Sequence, residues 1–345
     1  MKSIKFIDLF CGIGGIRLGI EKAGFECVFS CDINAECRKT YFNNFNEMPQ
    51  DDIKKISESD IPDFDILCAG FPCQPFSISG KQKGFDDDRG TLFFEICRFI
   101  KAKQPQVVLL ENVKHLVHHD KGRTLSIMLE KLSVLGYNVE WKLLNALDFG
   151  VPQNRERIVI IASKSHRFDF NRIKIAERKT LIDFLDSKGE FEFLTECEYT
   201  LIENPKIQKQ SGLCFAGYRN KTIRKAGVRP GTEHLSRVHK QPNRIYSVMG
   251  THPTLPSQES SGRFWILTTD NRVRKLTIDE CYRIMGFPEN FIRVATLSEQ
   301  YKQIGNSVCV PMITAVAEAI ETQFFSKDIK VVYRRDAFRT VATNL

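Results

Sequence analysis

The sequence has no apolar run approaching the roughly 20 residues that a bilayer-spanning helix needs, which argues against an integral membrane protein. It has no Cys-x-x-Cys pair either, despite 11 cysteines; Cys27, Cys31 and Cys37 come nearest to a cluster. That spacing argues against the common zinc frameworks, so no metal site is expected. An odd number of scattered thiols fits a reduced, cytoplasmic protein better than a disulfide-stapled one. No leader precedes the first strand pattern, Ile4-Lys5-Phe6, so no signal peptide is expected. Acidic residues are scarce in one segment. Residues 201–275 hold 14 Lys or Arg against four Asp or Glu, a net of +10, while the whole 345-residue chain is +8, which leaves −2 for the rest. A near-neutral body carrying one basic module points to a polyanion partner; a merely solvated basic surface explains the charge alone equally well.

What is present is a repeated alternation of strand and helix patterns in a chain of ordinary soluble composition, long enough for two domains or one large one. Residues 4–10 read as a central strand, and Cys11-Gly12-Ile13-Gly14-Gly15 follows as a glycine turn into a helical pattern. Such a turn lets backbone approach a nucleotide or nucleoside closely. Residues 25–31 read as a second strand with Asp32 at its end, where dinucleotide folds hold ribose hydroxyls. Residues 65–70 form a short apolar run that Gly70 and Pro72 stop. Cys73 is thereby set just past the carboxyl end of a strand, where open α/β sheets hold ligands. A thiol there is a candidate nucleophile; the plainer alternative is a buried, inert cysteine. Residues 76–89 have no core pattern and read as a loop, and a helix runs from about Leu92 to Ala102. Residues 105–110 make an apolar strand ending at Glu111-Asn112-Val113, and a helix at 124–135 and strands at 139–144 and 158–162 follow. The alternation predicts an α/β fold with a doubly wound parallel sheet.

Several spaced blocks together resemble those of the DNA cytosine-C5 methyltransferases. Phe10-Cys11-Gly12-Ile13-Gly14-Gly15 is similar to the family's cofactor turn and Gly70-Phe71-Pro72-Cys73-Gln74-Pro75 to its nucleophile motif. Glu111-Asn112-Val113 resembles its acid motif and Gln153-Asn154-Arg155-Glu156-Arg157 its arginine motif. Arg274-Lys275-Leu276-Thr277 to Glu280, Arg283 to Pro288, and Gly305-Asn306-Ser307-Val308 resemble its late blocks. Order and spacing agree over about residues 4–320, and the likeness is nearest to compact bacterial restriction-modification enzymes of the HhaI type.

The resemblance implies a Rossmann-like catalytic and cofactor-binding domain at residues 1–190 and an irregular, β-rich target-recognition domain at 191–275. A hinge with a late block at 276–305 and a helix at 306–329 completing the first domain come next; residues 330–345 have no assigned role. The implied cofactor is S-adenosyl-L-methionine and the implied partner duplex DNA, lying in the cleft between the domains. Cys73 is then the nucleophile that adds to C6 of a flipped-out cytosine and activates C5. A protonated Glu111 holds N3, and Arg155 and Arg157 lie at the substrate, Arg155 near the base and Cys73. Phe10 lies near the adenine, as does Ile33, which stands where relatives often carry Trp. Asp32 binds the ribose, Asp52 the adenine amino group, and Gly12, Gly14, Ile53, Pro72, Leu92, Asn306 and Val308 surround the rest. Residues 76–89 form a lid that touches DNA through Ser77 and Lys81. Gln241 fills the place of the flipped base and Arg244 reads guanine, with phosphate contact the alternative for both. Thr254-Leu255 closes the recognition region. A monomer is expected, with a cognate restriction endonuclease acting separately on the same site. Three other functions fit parts of the pattern. A tRNA cytosine methyltransferase shares the catalytic blocks, but the basic segment favours DNA. A catalytically silent DNA-binding relative is expected to lack Cys73, Glu111 or Arg155. A nucleotide-linked oxidoreductase leaves Cys73, Glu111 and Arg157 without a shared purpose.

Overall fold

The computed structural model describes residues 3–72, 92–220, 231–257 and 264–326. Cys73, Ser77, Lys81 and the 76–89 segment lie outside the described residues. Runs of consecutive apolar residues form strands covered on both faces, as in sheets flanked by helices on each side. The strands are β1 (Lys5–Leu9), β2 (Glu26–Cys31), β3 (Ile66–Gly70), β4 (Val107–Val113), β5 (Asn138–Asn145), the two-residue β6 (Gln153–Asn154) and β7 (Glu156–Ser163). All but β6 join one six-stranded sheet in the order β2-β1-β3-β4-β7-β5. β1 to β4 are parallel, but β7 runs antiparallel to both β4 and β5. The expected parallel sheet is therefore a mixed one, and the connection explains why. Only residues 146–155 separate β5 from β7, fewer than the dozen or so that a parallel crossover needs.

The helices are α1 (Gly15–Glu21), α2 (Ala35–Phe45), α3 (Leu92–Lys103), α4 (Arg123–Val134), α5 (Ile278–Arg283), α6 (Leu297–Asn306) and α7 (Val310–Ile320). Successive strand residues face opposite layers. Ile7, Leu67, Val108 and Ile160 share a core with Phe93, Ile96 and Phe99 of α3 and Leu125 and Leu132 of α4. Phe6, Ile66, Leu109 and Ile161 share the opposite core with Ile16 and Ile20 of α1 and Ile313, Val316 and Ile320 of α7. α1 and α7 come so close that a Cβ on Gly19 would stand 2.6 Å from Ile313. The stretch Leu297–Phe325 has the length and mean hydropathy to cross a membrane, the one such helical stretch among the described residues. The break at Ser307–Cys309 divides it, and its apolar residues are in the core just described.

The basic segment supplies a second sheet. Its strands are β8 (Tyr199–Leu201), β9 (Phe215–Arg219), β10 (Arg244–Ser247), β12 (Trp265–Leu267) and β13 (Val273–Lys275), in the order β13-β12-β10-β9-β8; β11 (His252–Pro253) pairs instead with β6. Cations are stacked on its aromatic residues: Arg219 and Lys275 both lie over the Trp265 ring, at 4.9 and 4.7 Å. A third core joins the two sheets. It contains Ile13 from the glycine turn, Val248, Leu255 and Ile266 from the basic segment, and Ile284, Ile304 and Val310. Below it the buried Arg274 grips Glu280 with two bonds, at 2.8 and 2.7 Å. Glu280 also caps α5 by accepting from the Thr277 amide at 2.8 Å, and it accepts from the Asp186 amide at 2.9 Å.

Candidate active site

A cleft of about 650 Å³ opens at the carboxyl ends of β1, β3 and β4, lined on one side by Phe10 and Gly12 and on another by Asn306 and Val308. β1 ends at Leu9; Phe10 follows with a φ of 60°, rare for a residue with a side chain, and Gly12 has 55°. These left-handed residues bend the chain sharply, and the bend is held from β2. The Gly12 amide donates to Asp32 Oδ2 at 2.8 Å, and the Asn34 amide donates to Asp32 Oδ1 at 2.8 Å. Burial raises the pKa of Asp32 above the usual carboxylate value, against the pull of those two amides. Asp52 accepts from the Lys54 amide at 3.1 Å and so caps the short turn that buries Ile53 beneath the cleft. Ile33 stands at the rim, 73 % exposed. Pro72 and Leu92 line the cleft as expected, but Gly14 does not. Gly14 instead lets α1 start against Phe45, whose ring a Cβ there would strike.

Sequence reasoning missed Gln303 and gave no role to Ser307 and Asn112, although both stand in the family blocks; all three line the cleft. Gln303 is buried and accepts from the Thr40 hydroxyl at 3.3 Å, while its Nε2 has no partner. No motif points to it, since a glutamine in an amphipathic helix is unremarkable until its donor is found orphaned. Asn112 donates to the Phe71 carbonyl at 2.8 Å and ties the end of β4 to the turn that leads to Cys73.

Glu111 faces this turn from β4. Its Oε1 lies 3.0 Å from Arg157 Nε, a close charge contact that is not aligned as a hydrogen bond, so the oxygen is left without a hydrogen-bond partner. Burial raises the pKa of Glu111, while Arg157 and then Arg155 work against it. Gly70 leaves open the space beside Glu111 Oε2.

The two arginines expected at the substrate take different places. Arg157 lines the cleft and Arg155 does not. Arg155 is 1 % exposed and donates through Nη1 to the Leu255 carbonyl (3.2 Å) and through Nη2 to the carbonyls of Gly305 (2.9 Å) and Ser307 (2.5 Å). The residue falls in the break between β6 and β7, so strand alternation does not carry it to the face of Arg157. Burial lowers its pKa to about 9, so it is still charged at neutral pH. The Thr254 hydroxyl donates to the Asn154 carbonyl at 2.7 Å.

Gln241 is exposed on a short turn ahead of β10. Arg244 opens β10, its Nε donating to the His239 carbonyl at 3.1 Å, and the His239 ring stacks on Tyr218 at 4.1 Å. Both Nη groups of Arg244 extend beyond that anchored Nε. Among the described residues no three His, Cys, Asp or Glu side chains group so as to hold a metal ion.

Residues 4–322 match the family described as C-5 cytosine-specific DNA methylase. Type II methyltransferase M.HhaI of Haemophilus parahaemolyticus is 40% identical over 325 residues, covering 92% of this chain and 94% of that protein. Type II methyltransferase M.HaeII of Haemophilus aegyptius is 43% identical over 321 residues, 92% of each. The crystal structure of S. pombe Dnmt2 methyltransferase superposes with a TM-score of 0.66 over 94% of this chain and all (100%) of that one, at 17% identity, and so shares the fold. With the glycine turn, Asp32 and the Glu111–Arg157 pair on one cleft and the match running nearly end to end, the chain belongs to the C-5 cytosine-specific DNA methylase family.

Proposed function

We propose that the chain methylates C5 of a flipped-out cytosine in duplex DNA through a covalent bond from Cys73 to C6, using S-adenosylmethionine. The observation that carries this reading is Glu111, a carboxyl buried at the cleft with a raised pKa, beside Arg157 and next to the turn that enters Cys73. Cytosine C5 is too weak a nucleophile to attack a methyl donor directly. Addition of the Cys73 thiolate at C6 makes the ring an enamine with electron density at C5. A protonated Glu111 donates to N3 as negative charge builds there, and its raised pKa favours that form. Arg157 keeps the carboxyl aimed and offsets charge on the ring. Loss of the C5 proton and departure of Cys73 then restore the aromatic base.

The residues of the cleft fit the cofactor. A volume of about 650 Å³ suits a ligand of that size. Asp32 and Asp52 offer acceptors to ribose hydroxyls and an adenine amino group. The orphaned Gln303 Nε2 offers a donor to a carboxylate, and Phe10, Ile33 and Ile53 give apolar contact. When bound, S-adenosylmethionine supplies an electrophilic methyl group. A stacked cytosine cannot enter, so the base leaves the helix. Gln241, exposed ahead of β10, takes its place, and Arg244 presents its Nη pair to guanine. Relatives named type II methyltransferases suggest the biological setting. The chain acts as a cytoplasmic monomer and marks host DNA at a site that a separate endonuclease cuts when unmarked.

The test is tritium transfer from labelled S-adenosylmethionine to unmethylated duplex DNA and, in parallel, to tRNA. Label should enter duplex DNA only, and a duplex carrying 5-fluorocytosine at the site should trap the protein covalently, because fluorine cannot leave as a proton does. Cys73→Ser should bind S-adenosylhomocysteine normally and transfer nothing. Transfer to tRNA alone overturns the DNA assignment, and substantial turnover by Cys73→Ser overturns the covalent route.

A further inference from the structure

We propose that Arg155 is a positioning residue that couples DNA seating on the second sheet to the cofactor cleft. The inference rests on the methyltransferase reading and adds to it a physical link between its two substrates. The link is the strap of residues 251–257, which leaves the second sheet shortly after β10 and crosses to the first. One side of the strap is held by residues 153–155. His252 and Pro253 pair in register with Gln153 and Asn154, and the Thr254 hydroxyl donates to the Asn154 carbonyl. The Leu255 amide donates to Gln153 Oε1 at 3.1 Å while its carbonyl accepts from Arg155 Nη1 at 3.2 Å. Both polar groups of the Leu255 backbone are thus held by buried side chains of the arginine motif.

The other side of the strap is the cofactor wall. Gly305 packs so tightly on Pro256 that a Cβ would collide with the Pro256 carbonyl. Arg155 Nη2 bonds the carbonyls of Gly305 and Ser307, the two residues that flank Asn306, and all three residues line the cleft. One rigid, planar guanidinium therefore joins the exit from β10 to the turn that carries Asn306. Its fork cannot stretch, so a shift of the Leu255 carbonyl is passed to the cleft wall. β10 carries Arg244, so DNA docking there loads the strap. Linkage requires the effect to run both ways: seated DNA tightens the cofactor, and bound cofactor tightens DNA.

The affinity for S-adenosylhomocysteine is measured by calorimetry, alone and with saturating sheared unmethylated genomic DNA, long enough in total to contain every short site. In the wild-type protein DNA should tighten binding roughly fivefold or more, the lower range of allosteric couplings. Arg155→Lys keeps the charge and loses the fork, and it should abolish the tightening. Single-turnover transfer at saturating cofactor should fall far less than for Glu111→Gln, because Arg155 touches no reacting atom. An Arg155→Lys protein with tightening intact overturns the proposal, as does a wild-type protein whose affinity ignores DNA. If Arg155→Lys does not fold, the isosteric Thr254→Val decides: it removes one strap bond, and undiminished tightening overturns the proposal. A wild-type protein that binds no S-adenosylhomocysteine under any condition counts against the methyltransferase reading and not against the role of Arg155.

Discussion

Asp8 is fully buried in β1 beneath the glycine turn, and neither carboxyl oxygen has a hydrogen-bond partner. Burial dominates and raises its pKa from 3.8 to about 8, although Arg17 pulls the other way. A folded state that binds the proton more tightly than the unfolded chain gains most below pH 4. It loses that gain as pH rises through about 8, at ~1.4 kcal/mol per unit. Asp8→Asn should therefore be more stable than wild type at pH 8 by several kcal/mol, on the order the linkage allows. The two should converge near pH 4 in urea titrations; equal pH dependence would show that Asp8 titrates normally. At Glu111 the raised pKa has a kinetic consequence instead. The protonated form acts, so single-turnover methylation should carry an alkaline limb that falls as pH rises through the elevated value, beside the acid-side fall that comes from protonating the Cys73 thiolate. Glu111→Gln should lose that limb and cost ~10²–10⁴-fold in rate. Both carboxylates at strand ends, Asp32 and Glu111, were legible in the sequence through their company, Asp32 with the glycine turn and Glu111 with the Cys73 and arginine blocks. The partners of Arg155 were not. They are three backbone carbonyls 100 or more residues away in sequence, and carbonyls leave no mark in a sequence.

At the scale of elements, the Arg274–Glu280 pair fixes β13 to α5 in a place where both charges are out of water. Removing one partner strands the other, so Glu280→Ala should cost ~3–5 kcal/mol in denaturant unfolding. The double change Arg274→Met with Glu280→Leu should recover most of that, since no charge is left buried. A Glu280→Ala protein as stable as wild type would mean that water reaches Arg274. The sequence marked this block by family likeness without revealing that its work is structural. The six strands of the first sheet and helices α1, α3 and α4 were legible from apolar runs and glycine punctuation, whereas α2, α5 and α6 were not. The direction of β7 was missed because alternation of strands and helices says nothing about a connection that doubles back. The second sheet was expected from family likeness as an irregular β-rich domain, but its individual strands were not placed, because at three to five residues they are too short for a clear period.

For the whole molecule, the uneven charge makes the proposed docking of DNA testable by salt. If the basic segment lies on phosphates, log affinity should fall linearly with log salt, by ~0.9 for each phosphate neutralised. Replacing Lys221, Arg224 and Lys225, which fall outside the described residues, with Gln should flatten the slope by up to ~2.7. An unchanged slope would make this cluster a solvated face. The same charge arrangement has an optical consequence. The chain has two tryptophans. Trp141 is 38 % exposed on β5, the edge of the first sheet farthest from β2, whereas Trp265 is buried on the second with two cations over its ring. Indole emission shifts with the field across the ring, and a phosphate backbone that draws Arg219 or Lys275 aside changes that field. With Trp141→Phe, a single tryptophan remains, on the sheet proposed to meet DNA, and excited selectively it lets docking be timed by its colour without any label.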